Sequence, residues 1–213
     1  MDRRPDLDVS TLDVSTVDVS AVDGTGVGVD PDSTPRYGHG MTTWVALLRG
    51  VNVNGITIRS VDLAELFRSQ GHTDVRTVLA SGNVVFTAAD PVEPAALRSS
   101  VEQALRKGFG YDAWIVLVRH DALAELVAGF PFASTADRHD YVVFASDPAA
   151  LDDLLTGLDL DPSVEQVARG EGVVYWSCPK GSSTTTAFAK RAGAARFKRT
   201  TTARNTNTLR KLL

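Results

Sequence analysis

The chain has 213 residues, 43% of them apolar, and one cysteine, Cys178. That length suits one or two domains with a sizeable core. No apolar run approaches the roughly 20 residues that span a bilayer, and a lone cysteine excludes an internal disulfide framework and a cysteine metal cluster. The net charge of −4 hides an asymmetry, because residues 1–40 carry −5, residues 41–171 carry −8, and residues 172–213 carry +9 with no acid at all.

An acidic body with a basic tail suits an intramolecular contact or an anionic partner. The N-terminus lacks a basic start followed by an apolar stretch, and its acidity does not fit an organellar transit peptide. With one cysteine, a reducing, cytoplasmic setting fits best.

In chain order, the first forty residues stand apart. Leu7-Asp8-Val9-Ser10-Thr11 recurs as Leu12-Asp13-Val14-Ser15-Thr16 and then as Val17-Asp18-Val19-Ser20-Ala21. A five-residue period is odd, so strict strand alternation would switch the apolar positions between faces from one repeat to the next. The segment is acidic, and its only aromatic is Tyr37. It buries too little surface to offset its ordering entropy, which predicts a disordered leader over residues 1–40. Met41 opens the globular pattern abruptly and is expected to be the natural start.

Trp44–Leu48 then reads as a buried strand. Ser60 is placed to cap a helix through Gln70, with Leu63, Leu66 and Phe67 on one face and Gly71 as the stop. Val75–Ala80 and Asn83–Thr87 read as strands joined tightly at Ser81-Gly82. Pro94 opens a second helix, with Leu97, Val101, Ala104 and Leu105 at helical spacing, ended by Gly108 and Gly110. Trp114–Val118 is the fourth strand.

That order, βαββαβ, is the ferredoxin-like split arrangement. Right-handed crossovers make the first two strands parallel, so the first strand ends where the hairpin between the second and third turns. The third strand then neighbours the first, which brings Asn83 near Arg49. Residues 49–55 and 81–83 are expected at one edge of one sheet.

The remainder reads as a helix (Asp121–Ala128), a strand (Tyr141–Phe144), a helix (Pro148–Leu158) and a hairpin (Val164–Ala168 with Val173–Ser177). Helices over Thr184–Ala192 and Asn205–Leu213 follow. This predicts a second, incomplete ferredoxin-like half from about residue 120, so the expected class is α+β, with two ferredoxin-like halves and mixed or antiparallel sheets.

Three motifs recur in a known bacterial family: Val45-Ala46-Leu47-Leu48-Arg49-Gly50-Val51-Asn52-Val53, Ser81-Gly82-Asn83-Val84-Val85-Phe86, and Thr202-Ala203-Arg204-Asn205-Thr206-Asn207-Thr208. On these residues the chain resembles the domain of unknown function 1697 family, from about Met41 to Leu213. The resemblance implies paired α+β, ferredoxin-like domains and no established activity. Asn54-Gly55 stands where the family often has two glycines, and Thr206 where it commonly has tryptophan.

Each motif has a chemical and a structural reading. Arg49 presents a planar fork of donors suited to carboxylate or phosphate. Gly50 admits close approach, and Asn52 and Asn54 both donate and accept. Alternatively, Arg49 pairs with an acid while Asn54-Gly55 turns the chain. Ser81-Gly82-Asn83 suits a tight turn. Ser81 lacks the flanking glycines of a nucleophile elbow and has no base placed near it, so no catalytic residue is assigned.

Lys180-Gly181-Ser182-Ser183-Thr184 precedes a helix, as an anion site or as a simple cap by Ser182, Ser183 or Thr184. The basic tail interleaves Phe188 and Phe197 with Lys190, Arg191, Arg196, Lys198, Arg199, Arg204, Arg210 and Lys211, as in single-strand binders or as core aromatics among solvated bases. Asn205 or Thr206 would cap the last helix. His39, His72, His120 and His139 show no ligand spacing, so no metal is expected. Cys178 reads as an inert buried thiol.

These features predict a protein that binds an anionic ligand, nucleotide or nucleic acid, with no cofactor and no membrane partner. Arg49, Asn52, Ser81, Asn83, Arg204 and Asn205 are the residues expected to line the site. The alternatives are an enzyme acting on a small phosphorylated or carboxylated substrate in the same cleft, and an interaction scaffold in which the motifs are structural.

Overall fold

The computed structural model describes residues 40–51, 57–80, 82–110, 112–197 and 200–213. The expected leader, up to residue 39, lies outside the described residues, as do Asn52, Asn54, Gly55, Ser81, Lys198 and Arg199.

The first half runs β1 (Met41–Arg49), α1 (Ser60–Ser69), β2 (Thr73–Thr77), β3 (Asn83–Ala89), α2 (Pro94–Phe109) and β4 (Trp114–Arg119). Its sheet is antiparallel in the order β2-β3-β1-β4. After α3 (His120–Ala128), the second half runs β5 (Arg138–Ala145), α4 (Pro148–Leu155), β6 (Gln166–Gly170), β7 (Val173–Pro179), α5 (Ala187–Ala192) and β8 (Thr201–Asn205), closed by α6 (Thr206–Arg210). Its order, β6-β7-β5-β8, repeats that of the first sheet. The second half is therefore a complete βαββαβ unit, where the sequence pattern predicts one lacking its last strand. Thr201-Thr202-Ala203-Arg204-Asn205 has too little apolar character to read as a strand. It becomes one by pairing with β5, from Ala145↔Thr201 to Tyr141↔Asn205.

Strand alternation distributes the apolar side chains over three cores. Trp44, Ala46 and Leu48 of β1 pack with Phe86 and Ile115 against Phe67 of α1 and Val101 of α2. Val45 and Leu47, on the opposite face, meet Val142, Phe144 and Val173 of the second sheet, with Leu123, Leu209 and Leu212 beside them. On the far face of the second sheet, Val143, Val174 and Trp176 pack on Leu151, Leu154 and Phe188. This explains the unbroken apolar run Trp44–Leu48, since β1 is buried on both faces. The chain's end is held by the first half. Arg76 donates to the Lys211 carbonyl at 3.0 Å and also to that of Leu212, and His120 Nε2 lies 3.1 Å from the Leu212 carbonyl.

Helix ends differ in detail from the sequence expectation. Ser60 is the first residue of α1 and makes no side-chain cap; Arg59 precedes it and pairs with Asp62 at 2.6 Å. Glu93 caps α2 by accepting from the amides of Ala95 and Ala96, and Gly110 closes that helix at φ 62°. α5 starts at Ala187, later than expected, with the Thr186 hydroxyl accepting from the Ala189 amide at 3.2 Å. Ser182, Ser183 and Thr184 therefore precede the helix and do not cap it.

Two stability predictions follow from this packing. Gly82 has φ 70°, and a Cβ there would lie 2.9 Å from Leu48 Cβ. Gly82→Ala should cost about 2–4 kcal/mol by urea denaturation, combining backbone strain with overpacking. Gly172→Ala, at φ 66° with nothing within 4 Å of the added carbon, should cost only about 1 kcal/mol. His72 packs against the Phe67 and Phe86 rings, at 6.1 and 4.7 Å, and burial pushes its pKa below the ordinary histidine value. The folded state then binds this proton less readily than the unfolded state, so stability falls as pH drops through the ordinary value of about 6.5. His72→Phe should flatten that part of the stability curve in melts between pH 7 and pH 5.

Candidate functional site

The hairpin between β2 and β3 folds back against the end of β1. The Leu48 amide donates to the Gly82 carbonyl at 2.8 Å, and the Val78 amide donates to the Asn83 carbonyl at 2.9 Å. Leu47 is the register partner of Asn83, so the expected neighbourhood of the first two motifs is present. The Asn83 side chain is fully buried. Its Nδ2 donates to the Val78 carbonyl at 2.9 Å, and its Oδ1 accepts from Arg204 Nε at 2.6 Å.

Arg204 comes from β8 of the other half. Its second terminal nitrogen reaches the Leu48 carbonyl, and the first donates to Thr202 Oγ1 at 2.7 Å and to the Ala203 carbonyl at 3.0 Å. One guanidinium thus ties the third motif to the other two, because its donor fork spans several acceptors in one plane. Arg49 crosses in the opposite sense, donating to the Thr201 carbonyl. Arg49, Asn83 and Arg204 therefore gather at one place; the strand order predicts the approach of Asn83 to Arg49, and β8 adds Arg204 to them. The described bond of Arg49 is to a backbone carbonyl.

Beside this junction opens a cleft of about 460 Å³. Arg49 from the first half and Lys190 from α5 face it, together with Ser183 and Thr184. Val143, Trp176 and Ala203 form its apolar floor, and no described residue lining it is acidic. Lys190 is exposed, and its ammonium has no hydrogen-bond partner among the described residues.

The floor is set by a residue the sequence pattern passes over. Glu165 is 2% exposed and accepts from Trp176 Nε1 at 2.9 Å and from the Phe188 amide at 3.0 Å. It fixes the indole and the start of α5 together. A lone glutamate in a polar stretch reads as surface, and only its tertiary partners make burial tolerable. Cys178 lies close by in β7. Burial, and then the Glu165 charge, push its thiol up to about 11, which keeps it protonated and unreactive at neutral pH.

Asn205 lies elsewhere. Its side chain caps α6, accepting from the Asn207 amide at 2.9 Å, and it lines a second cleft of about 360 Å³ with His139, Lys180 and Arg210. Among the described residues, no group of three or more histidine, cysteine, aspartate or glutamate side chains is arranged to hold a metal ion. No helix among them is long and apolar enough to cross a membrane.

The family model for proteins of unknown function designated DUF1697 matches residues 41–175, a stretch that holds the first two motifs and ends before the third. Among solved structures, the chain is similar to the conserved bacterial protein SP0830 from Streptococcus pneumoniae. The two share 21% identity at a TM-score of 0.67, over 81% of this chain and 97% of that one. At that identity the likeness concerns the fold. No curated protein matches the chain.

The guanidinium junction makes a direct prediction. Arg204→Ala strands the Leu48 carbonyl and Asn83 Oδ1, and should cost about 2–4 kcal/mol by urea denaturation. Arg204→Lys should recover little of that loss, because an ammonium cannot reproduce the planar fork.

Proposed function

This chain belongs to the DUF1697 family of proteins of unknown function, and from that premise we propose that it binds an anionic ligand, a nucleotide or nucleic acid, in the cleft beside the end of β1. The observation that carries this reading is that Arg49 and Lys190, cations from the two halves, share a lining with no acid among the described residues. A cleft of one charge sign with apolar walls concentrates the field on an incoming anion. Ser183 and Thr184 add hydroxyl donors, and the Val143, Trp176 and Ala203 floor suits the apolar face of a base.

In this reading Arg49 is the ligand contact carried by the first motif. Asn83 and Arg204 are positioning residues that hold the end of β1 against β8, and Asn205 serves the neighbouring cleft. Asn52 and Ser81 lie outside the described residues, so the reading draws on neither of them. Support for an enzyme is weaker, because neither a histidine nor a carboxylate lines this cleft among the described residues to act as a base.

A thermal-shift panel of nucleoside phosphates and simple organic anions tests the proposal, since a ligand that binds only the native state raises Tm. Nucleoside phosphates should raise Tm in proportion to their charge. Lys190→Glu should remove most of the shift while leaving the unliganded Tm within about 2 °C, the behaviour of an exposed side chain. A flat panel would overturn the reading.

A further inference from the structure

The second sheet is open at one end of its central strand. β5 begins at Arg138, but its pairing with β8 stops at Tyr141↔Asn205, where the chain turns into α6. Past that pair β5 keeps β7 as its strand neighbour, through Asp140↔Ser177, His139↔Cys178 and Arg138↔Pro179. The cleft of about 360 Å³ lies in the gap that β8 leaves. The start of β5 forms one wall, α6 with Asn207 and Arg210 another, and Lys180, just past β7, completes it. Ala136 is the one apolar side chain among the described residues of this lining. The cleft beside β1 differs in having its Val143, Trp176 and Ala203 floor.

The polar groups of this lining divide into committed and available ones. Arg138 is committed, donating to Ser177 Oγ at 3.0 Å and to the carbonyls of Ser177 and Val164. Asp140 is 7% exposed, and its oxygens accept from Ser177 Oγ at 2.8 Å and from the Ser134 hydroxyl. Ser177 thus links the Arg138 and Asp140 charges, which offset each other. The exposed Asp137 carboxyl, outside the lining, is held below its usual range first by a Thr135 hydrogen bond and also by the Arg138 and Lys180 charges. Even with it, the cations Arg138, Lys180 and Arg210 outnumber the acids. Lys180 is exposed, with no side-chain hydrogen bond among the described residues. Arg210 uses Nη1 on Asn207 Oδ1 at 3.0 Å and on Thr206 Oγ1 at 3.4 Å, while its Nε and Nη2 have no partner among the described residues. The His139 ring nitrogens and the amide nitrogens of Asn205 and Asn207 are likewise without a hydrogen bond among them.

We propose that this cleft is a second ligand site, separate from the one beside β1, and that it takes a small sugar phosphate. The phosphoryl oxygens meet the Lys180 ammonium, the open side of the Arg210 guanidinium and a ring N–H of His139, as charge-assisted hydrogen bonds. The sugar hydroxyls accept from the Asn205 and Asn207 amides. They donate to Ser134 Oγ, whose own proton is given to Asp140 and whose lone pairs remain. A nucleoside base finds no apolar surface in this lining, and a bare phosphate leaves the two amides unmet. The ligand would tie α6, the last helix, to β5 and the end of β7.

Isothermal titration calorimetry on the full chain tests this, with glucose 6-phosphate as the probe and glucose and inorganic phosphate as its two parts. The sugar phosphate should bind at least about tenfold tighter than either part, since only it meets the cations and the amides together. Lys180→Ala breaks no side-chain hydrogen bond among the described residues and should weaken the sugar phosphate about five- to twentyfold at unchanged Tm. Arg210→Ala should weaken it by a similar factor. The inference fails if glucose 6-phosphate does not bind, if inorganic phosphate binds as tightly, or if Lys180→Ala leaves the affinity unchanged. It also fails if Lys190→Glu abolishes the binding, because the ligand would then lie in the cleft beside β1. The nucleoside-phosphate reading is judged separately, by its own panel and by Lys190.

Discussion

Arg204 reaches out of β8 to the first half, donating to Asn83 Oδ1 and the Leu48 carbonyl while its remaining terminal nitrogen stays bonded within β8. The arrangement of the site depends on this contact. β1 must end where the β2–β3 hairpin turns, or the acceptors would not lie together, and β8 must run antiparallel to β5 for the guanidinium to face them. Asn83 is fully buried, and its amide closes the hairpin on Val78 while its oxygen meets the arginine. A polar side chain at such depth is stable only when satisfied. Burying it therefore selects one register of the two halves against others that would orphan it.

The apolar packing reinforces the same registration. Val45 and Leu47 from one sheet and Val142 and Phe144 from the other share a single core, closed by Leu209 and Leu212 near the chain's end. Because both sheets have the order 2-3-1-4, each places its first strand at the centre and its fourth at an edge. β1 is consequently buried on both faces, while β8 remains an edge strand. Edge position leaves the outer face of β8 less covered than the central strands. That is where Arg49, from the end of a deeply buried strand, comes to stand beside Lys190 over an apolar floor. Glu165 supports that floor from within, by bonding Trp176 and the first turn of α5 at once.

Much of the first half was legible in the sequence, because its signals are local. The Trp44–Leu48 run, the helical spacing of Leu97, Val101 and Leu105, and the glycine after α2 each report on their own segment. Strand order and crossover handedness then placed Asn83 beside β1 without any further information. β8 was hidden for the opposite reason. Its threonines and Arg204 carry no alternation of their own, and its strand character comes from β5. Glu165 was hidden likewise, since nothing around it in the chain announces an indole and a helix start as its partners.

The amino-acid sequence by itself determined the class, the doubled βαββαβ plan up to its last strand, and the convergence of the first two motifs. Each follows from periodicity and short-range chirality, which act within a few residues of chain. Tertiary structure alone decided that Arg204 fastens the halves, that Asn205 lines a second cleft, and that Arg49 and Lys190 line one cleft with no acid among the described residues. The Arg204 and Arg49 contacts join residues more than a hundred positions apart, where burial and hydrogen-bond satisfaction choose the partner, and Asn205, a local cap of α6, reaches its cleft only because β8 pairs with β5.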